Sequence, residues 1–164
     1  MNEGGFGGFA IAKETYEWIL KNLPKGKTIL ELGSGKGTVE LTKHWKVYSI
    51  EHSKKWLGYA EKSNYIYTPI ISYGKKKQYD WYDREIIKKK IPKEYDLLLV
   101  DGPTGNIGRK GFLRNIGLFK MNIPIIIDDT QREQYVNICD FIVENYNKKA
   151  VTIQAGNKQF TVLL

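Results

Sequence analysis

Two segments of the chain are apolar at every position and end in a carboxylate: Leu97-Leu98-Leu99-Val100-Asp101 and Ile125-Ile126-Ile127-Asp128. A strand with one wet face alternates apolar and polar side chains, so runs like these need cover on both faces. Parallel strands between two layers of helices meet that need, and 164 residues allow one such domain without a separate substrate domain. Strands are expected over 27–32, 46–51, 65–71, 95–101 and 123–128. They alternate with helices expected over 10–23, 38–45, 53–62, 83–90, 110–120 and 130–147, while 72–82 reads as a polar, aromatic loop. Pro24 and Pro92 stop helices, Ser53 is a candidate N-cap, and Thr130 with Glu133 spells a capping box. The chain closes with strands over 150–155 and 159–164 around Gly156-Asn157-Lys158, a hairpin signature. The glycine-rich residues 1–9 read as a flexible segment of a single domain over 1–164. The expected class is α/β with a doubly wound, mostly parallel sheet.

Composition narrows the partners. Lys and Arg number 26 against 18 Asp and Glu, a formal charge of +8. The lysines are scattered in clusters at 54–55, 75–77, 88–90 and 148–149, and no aromatic-basic RNA-binding signature accompanies them. Nucleic acid is therefore not the favoured partner, whereas an anionic small molecule suits a basic surface. The apolar runs fall far short of the roughly 18–20 residues that span a membrane, and no secretory leader is visible. With one cysteine, Cys139, no internal disulfide can form, and a cytoplasmic location is expected. Cys139 lies in a helical pattern where a small buried side chain is expected rather than a nucleophile.

Between the first strand and the next helix stands Glu31-Leu32-Gly33-Ser34-Gly35-Lys36-Gly37-Thr38. The ending Gly-Lys-Gly-Thr suggests a phosphate-binding loop, but the first glycine of that motif would fall at Leu30, inside the strand. A loop so short cannot wrap a phosphate in successive N–H groups. The dinucleotide fingerprint fails as well, since its third glycine would be Thr38. What remains is Glu-x-Gly-x-Gly-x-Gly, with glycines that let a ligand approach the backbone. In an open parallel sheet such a loop faces the ends of the neighbouring strands. Glu51, closing the second strand about 20 residues after the loop, is placed to accept hydrogen bonds from ribose hydroxyls, with His52 beside it. Asp101 and Gly102 face the loop across the crevice, and Asp128 and Asp129 lie one strand further along.

The Glu31 to Gly37 spacing resembles the first motif of the class I S-adenosylmethionine (SAM)-dependent methyltransferases. The resemblance implies a Rossmann-like, seven-stranded, mostly parallel sheet of order three-two-one-four-five-seven-six with a C-terminal antiparallel hairpin. It also implies SAM as cofactor, held by Glu31, Gly33, Ser34, Gly35, Gly37, Glu51, His52, Asp101 and Gly102. Asp101 with the Asp128-Asp129 pair is similar to the ligand set of the catechol-type metal-dependent O-methyltransferases, implying Mg²⁺ or Mn²⁺ on those three carboxylates. The alternative is that Asp129 favours the next helix's N-terminus while Asp128 pairs with Arg132. Asp101-Gly102-Pro103 is also similar to a stretch of the xylan glucuronic acid O-methyltransferases. The expected reaction is O-methylation of a small or saccharide-like acceptor. Asp101, Asp128 and Arg132 are the candidate catalytic residues, and Arg109 and Arg132 could hold an anionic acceptor group. Tyr79, Trp81 and Tyr82 are candidate walls for adenine. The rival expectation is a non-catalytic SAM-binding or RNA-binding module of the same fold.

Overall fold

A computed structural model of the chain describes residues 2–164. Its elements begin with α1 (Lys13–Asn22), β1 (Thr28–Leu32), α2 (Lys36–Leu41), β2 (Lys46–Glu51), β3 (Asn64–Tyr67), β4 (Ile70–Tyr73) and β5 (Tyr79–Tyr82). There follow α3 (Arg84–Lys90), β6 (Leu97–Val100), α4 (Lys110–Arg114), a 3-10 turn (Ile116–Leu118), β7 (Ile125–Asp128), α5 (Glu133–Tyr146), β8 (Ala150–Ala155) and β9 (Lys158–Leu163). Seven strands form one sheet of order β3-β2-β1-β6-β7-β9-β8, and β4 and β5 form a separate hairpin. The first five strands of that order run parallel; β9 is antiparallel to both β7 and β8. With the small hairpin set aside, this is the expected three-two-one-four-five-seven-six order.

Alternate residues of each central strand enter different cores. Leu98, Val100, Ile125 and Ile127 pack with Trp81, Ile87, Phe112, Tyr135 and Ile138 on the α3, α4 and α5 side. Leu97, Leu99 and Ile126 pack with Ile11, Ile19, Leu41 and Trp45 on the α1 and α2 side. Runs with no polar position are thus used up on both faces. Cys139 is buried, and burial pushes its thiol up to about 11, which suits a packing residue. Among the described residues, no helix is long and apolar enough to cross a membrane.

Several local expectations give way to stronger constraints. No helix forms over 53–62: one turn closes on the Ser53 carbonyl, and Gly58 at φ +78° ends it. The strand expected over 65–71 splits at Pro69, which has no N–H for the ladder, and its second half pairs with Tyr79–Tyr82 within the supposed loop. The helix over 110–120 shortens to α4 because Asn115 turns its side-chain amide back onto the Gly111 carbonyl. The capping box does not form. Asp129 adopts φ +60°, the Thr130 N–H bonds the Gln159 carbonyl, and the Thr130 hydroxyl accepts from Thr161 instead of capping α5. In the N-terminal segment the Asn2 amide donates to the Tyr59 carbonyl, and the Tyr59 hydroxyl donates to the Glu3 carbonyl. Met1, in the same stretch, lies outside the described residues.

Candidate functional site

β1 and β6 are hydrogen-bonded neighbours, and the loops leaving their carboxyl ends touch backbone to backbone. Gly33 sits at φ +85°, and a Cβ there would lie 2.9 Å from both the Cα and the N of Gly102. A Cβ on Gly102 would lie 2.8 Å from the Gly33 Cα and 2.5 Å from the Tyr82 hydroxyl. Both positions therefore need glycine for steric reasons of their own. Beside this contact opens a cavity of about 410 Å³. Its walls come from Gly33 and Ser34, from Glu51 to Ser53 after β2, from Tyr82, and from Asp101 to Gly105 after β6. The rim includes Phe9, Lys55, Trp56, Arg109, Asp129, Arg132 and Lys158.

Glu51 holds two of these walls together. Its Oε2 accepts from the Ser34 N–H and hydroxyl, both at 2.8 Å; its Oε1 accepts from the His52 N–H at 2.8 Å and the Ser53 N–H at 2.7 Å. Four donors fill a carboxylate's four lone-pair sites. Of these, only the Ser34 hydroxyl is a freely rotating side chain. Three polar atoms of cavity-lining residues have no hydrogen bond among the described residues: the Tyr82 hydroxyl, Arg109 Nε and His52 Nδ1, the last lying 3.4 Å from Glu51 Oε1. Burial, reinforced by the nearby Glu51 charge, holds the Tyr82 phenol well above its ordinary range, so its O–H stays available to donate. Buried polar atoms without partners are rare, and in a cavity wall they are where a ligand's hydrogen bonds go.

The rest of the glycine motif turns away from the cavity. Glu31 shares the strand face of Ile29, so it points under α2, where its Oε1 accepts from Thr38 at 2.7 Å and Ser49 at 2.6 Å. A Cβ on Gly37 would strike Ile11 Cγ1 at 2.7 Å, so that glycine makes room for the N-terminal strand of chain crossing it. Gly35, at φ −178°, is ordinary extended backbone, and a Cβ there would meet only the Phe9 carbonyl at an ordinary 3.9 Å. None of the three lines the cavity. Burial pushes the Glu31 carboxyl up to about 7 despite its two hydroxyl donors. A carboxyl raised on folding stabilises fully below its ordinary range, and that contribution fades as pH rises through about 7. Glu31→Gln keeps an acceptor without the charge. Melting curves should therefore show wild type losing ground to the variant from about pH 4.5 to about pH 7, with a constant difference above that.

Asp101, Asp128 and Asp129 do converge, with one oxygen of each within 4.8 Å of the others. Asp101 and Asp129 line the cavity; Asp128 is wholly buried behind them and does not. Asp128 pairs with Lys158 at 3.0 Å and not with Arg132. Lys158 also reaches Asp129 at 3.3 Å. Arg109, only 2% exposed, lies 3.5 Å from Asp101 and 3.4 Å from Asp129, donates to the Asp101 and Asp128 carbonyls, and stacks on Tyr135 at 4.2 Å. It is a buttress rather than a free hand for an acceptor. Arg132 is exposed, lies 5.8 Å over Tyr135, and makes no ion pair among the described residues. Burial, then the Asp128 charge, pushes the Asp101 carboxyl well above the usual carboxylate range. Burial raises Asp129 too, but Lys158 and Arg109 outweigh it and hold that group below the range. Asp128 Oδ1 has no donor among the described residues, and a proton carried by Asp101 would supply one.

Of the expected adenine walls only Tyr82 qualifies. Trp81 is sealed in the core against Phe119, and Tyr79 stacks on Tyr73. Sequence reasoning missed Lys158, Lys55 and Trp56. Lys55 and Trp56 follow Glu51 closely enough to be found by extending the second strand's loop, and Lys55 lies over the Trp56 ring at 5.2 Å.

Solved structures match the fold over nearly the whole chain. A precorrin-6y C5,15-methyltransferase from Geobacter metallireducens superposes with a TM-score of 0.63 at 10% identity, covering 98% of this chain and 93% of that one. Aeropyrum pernix fibrillarin, solved with natively bound SAM, gives 0.62 at 12% identity over 92% of this chain and 74% of that one. The chain has the class I SAM-dependent methyltransferase fold. A third structure with that fold, the magnesium protoporphyrin IX methyltransferase of Synechocystis with bound SAM, gives 0.58 at 13% identity over 92% and 76%. No protein-family model and no curated protein matches the chain in sequence.

Proposed function

We propose that residues 1–164 form a single SAM-dependent methyltransferase domain that methylates a hydroxyl of a small or saccharide-like, anionic acceptor in the cytoplasm. The observation that carries this reading is the Gly33–Gly102 contact beside a cavity whose walls hold the Tyr82 hydroxyl, which has no hydrogen-bond partner among the described residues, His52 beside Glu51, and Asp101. These residues fit SAM: a ribose hydroxyl can take the place of the Ser34 hydroxyl on Glu51, and Tyr82 and His52 offer hydrogen bonds to its polar atoms. The cofactor, when bound, supplies a sulfonium methyl group open to displacement by a nucleophile.

The chain's own residues prepare that nucleophile. Burial and the Asp128 charge raise the proton affinity of Asp101 well above that of an ordinary carboxylate, which suits a general base for a hydroxyl, and it lies on the cavity wall. Arg132, at the rim without an ion pair, is free to bind the acceptor's negative group and fix its orientation. Asp128 and Arg109 position Asp101 and Asp129 from behind. The three carboxylates do not fit Mg²⁺ or Mn²⁺ as they stand, because Lys158 and Arg109 already pair with both oxygens of Asp129 and with one each of Asp101 and Asp128. No step here runs through a metal.

Calorimetry with SAM, NAD and ATP should give saturable binding for SAM alone; binding of NAD or ATP in its place would remove the basis of the proposal. Labelled methyl transfer to a panel of neutral and anionic hydroxyl compounds should then favour the anionic ones. SAM binding with no transfer would indicate the non-catalytic module, and transfer confined to RNA would replace the acceptor class.

A further inference from the structure

Lys158 opens β9 immediately after the Gly156-Asn157 turn, and pairing of Asp128 with Phe160 fixes where its side chain begins. Lys158 shares the strand face of Phe160, which is buried in the core with Ile11, so it points back past the end of β7. Its Nζ meets three oxygens there: Asp128 Oδ2 at 3.0 Å, Asp129 Oδ1 at 3.3 Å and the Ala10 carbonyl at 3.1 Å. An ammonium has three N–H donors, and each has an acceptor. Arg109 covers the opposite side of the cluster through Asp101 and Asp129. Two cations thus face three carboxylates, one of which, Asp101, has a strong hold on a proton. A divalent cation would have to evict the ammonium and sit beside a buried guanidinium to reach the same oxygens.

We propose that the Lys158 ammonium is the resident cation of the Asp101–Asp128–Asp129 cluster, holding the position a divalent metal would need, so that the site does its chemistry without one. The last clause rests on the methyltransferase proposal; the first does not. Lys158 is a positioning residue in this scheme. It ties the N-terminal segment at Ala10, the end of β7 and the terminal hairpin into one wall of the cavity.

Mn²⁺ titration of the whole chain, followed by electron paramagnetic resonance and calorimetry, tests the first clause without reference to activity. Wild type should show no saturable Mn²⁺ site up to roughly millimolar metal. Lys158→Met, which keeps the stem and removes the charge, should gain one site at least about tenfold tighter, and Lys158→Met/Asp129→Asn should lose it again. Saturable binding of one Mn²⁺ to wild type, lost in Asp129→Asn, would overturn the proposal, as would a folded Lys158→Met that gains no site. If Lys158→Met does not fold, Lys158→Arg decides: the retained charge should exclude Mn²⁺ as wild type does, and a saturable site on it counts against the proposal. In the activity arm, the transfer rate should be indifferent to EDTA and to added Mg²⁺ or Mn²⁺; a rate that collapses with EDTA overturns the metal-free clause. Failure to bind SAM would instead sink the methyltransferase reading and leave the Mn²⁺ results standing.

Discussion

Asp101→Asn is expected to lower the rate of methyl transfer by about 10²–10⁴-fold while SAM binding changes by no more than a few-fold. The reason is that Asn preserves the shape of the side chain and can still donate to the orphaned Asp128 Oδ1, but it cannot take a proton from a hydroxyl. Two pH profiles make the test specific. In wild type the rate should rise with pH through an inflection above the ordinary carboxylate range, since burial and Asp128 raise the Asp101 carboxyl and only its ionised form is a base. Stability runs in the opposite sense. A carboxyl raised on folding contributes fully below its ordinary range, and the contribution is lost as pH rises through its folded value. Wild type should therefore melt progressively earlier than Asp101→Asn as pH rises, even while it is the only one of the two that turns over. Asp129 is the natural competitor for the base, but Lys158 and Arg109 hold it below the usual range, which makes it a weak proton acceptor. If Asp101→Asn keeps the wild-type rate and pH profile, Asp101 is not the base.

The contrast between Asp101 and Lys158 shows where sequence reasoning ran out. In a parallel sheet the carboxyl ends of all strands share one edge, so Asp101, Asp128 and Glu51 could be placed together from the apolar runs that precede them. Gly33 was recoverable for the same reason, because it directly follows β1. Lys158 arrives from an antiparallel hairpin, and whether it points at the cluster depends on the register between β7 and β9, which no periodicity encodes. The expected pairing of Asp128 with Arg132 failed on the same point: Arg132 is adjacent in sequence, but the left-handed turn at Asp129 sends it outward. Glu31 is placed by strand alternation on the face covered by α2, where it lines a small second hollow with Gly35, Gly37 and Asp101. The helix over 53–62 needed only the observation that Gly58 could end it, and the turn formed in its place carries Lys55 and Trp56 at the rim.

Gly33→Ala is expected to be the most damaging single methyl group that can be added to the glycine motif. At φ +85° an L-residue pays about 1–2 kcal/mol in backbone strain. The new Cβ would also lie 2.9 Å from the Gly102 backbone, and backbone cannot swing aside as a side chain can. Separating the two loops adds the cost of overpacking, about 1–3 kcal/mol. The sum is about 2–5 kcal/mol, and for a chain of this size each kcal/mol lowers the melting temperature by about 2–4 °C, so a drop of roughly 10 °C is expected. Because Gly102 would be displaced along with the Asp101 carbonyl it follows, SAM affinity should fall by at least about tenfold. Gly35→Ala is the control within the same motif. Its φ of −178° suits any residue and the nearest atom to a new Cβ is 3.9 Å away, so its stability should stay within about 0.5 kcal/mol of wild type. Gly37→Ala should fall between them, since the atom it meets belongs to the movable Ile11 side chain. Calorimetric melts of the three variants would order them by backbone contact rather than by motif position. The reverse order, with Gly35→Ala the worst, would mean that the loop holds its ligand at Gly35 and that the contact between Gly33 and Gly102 is not what shapes the crevice.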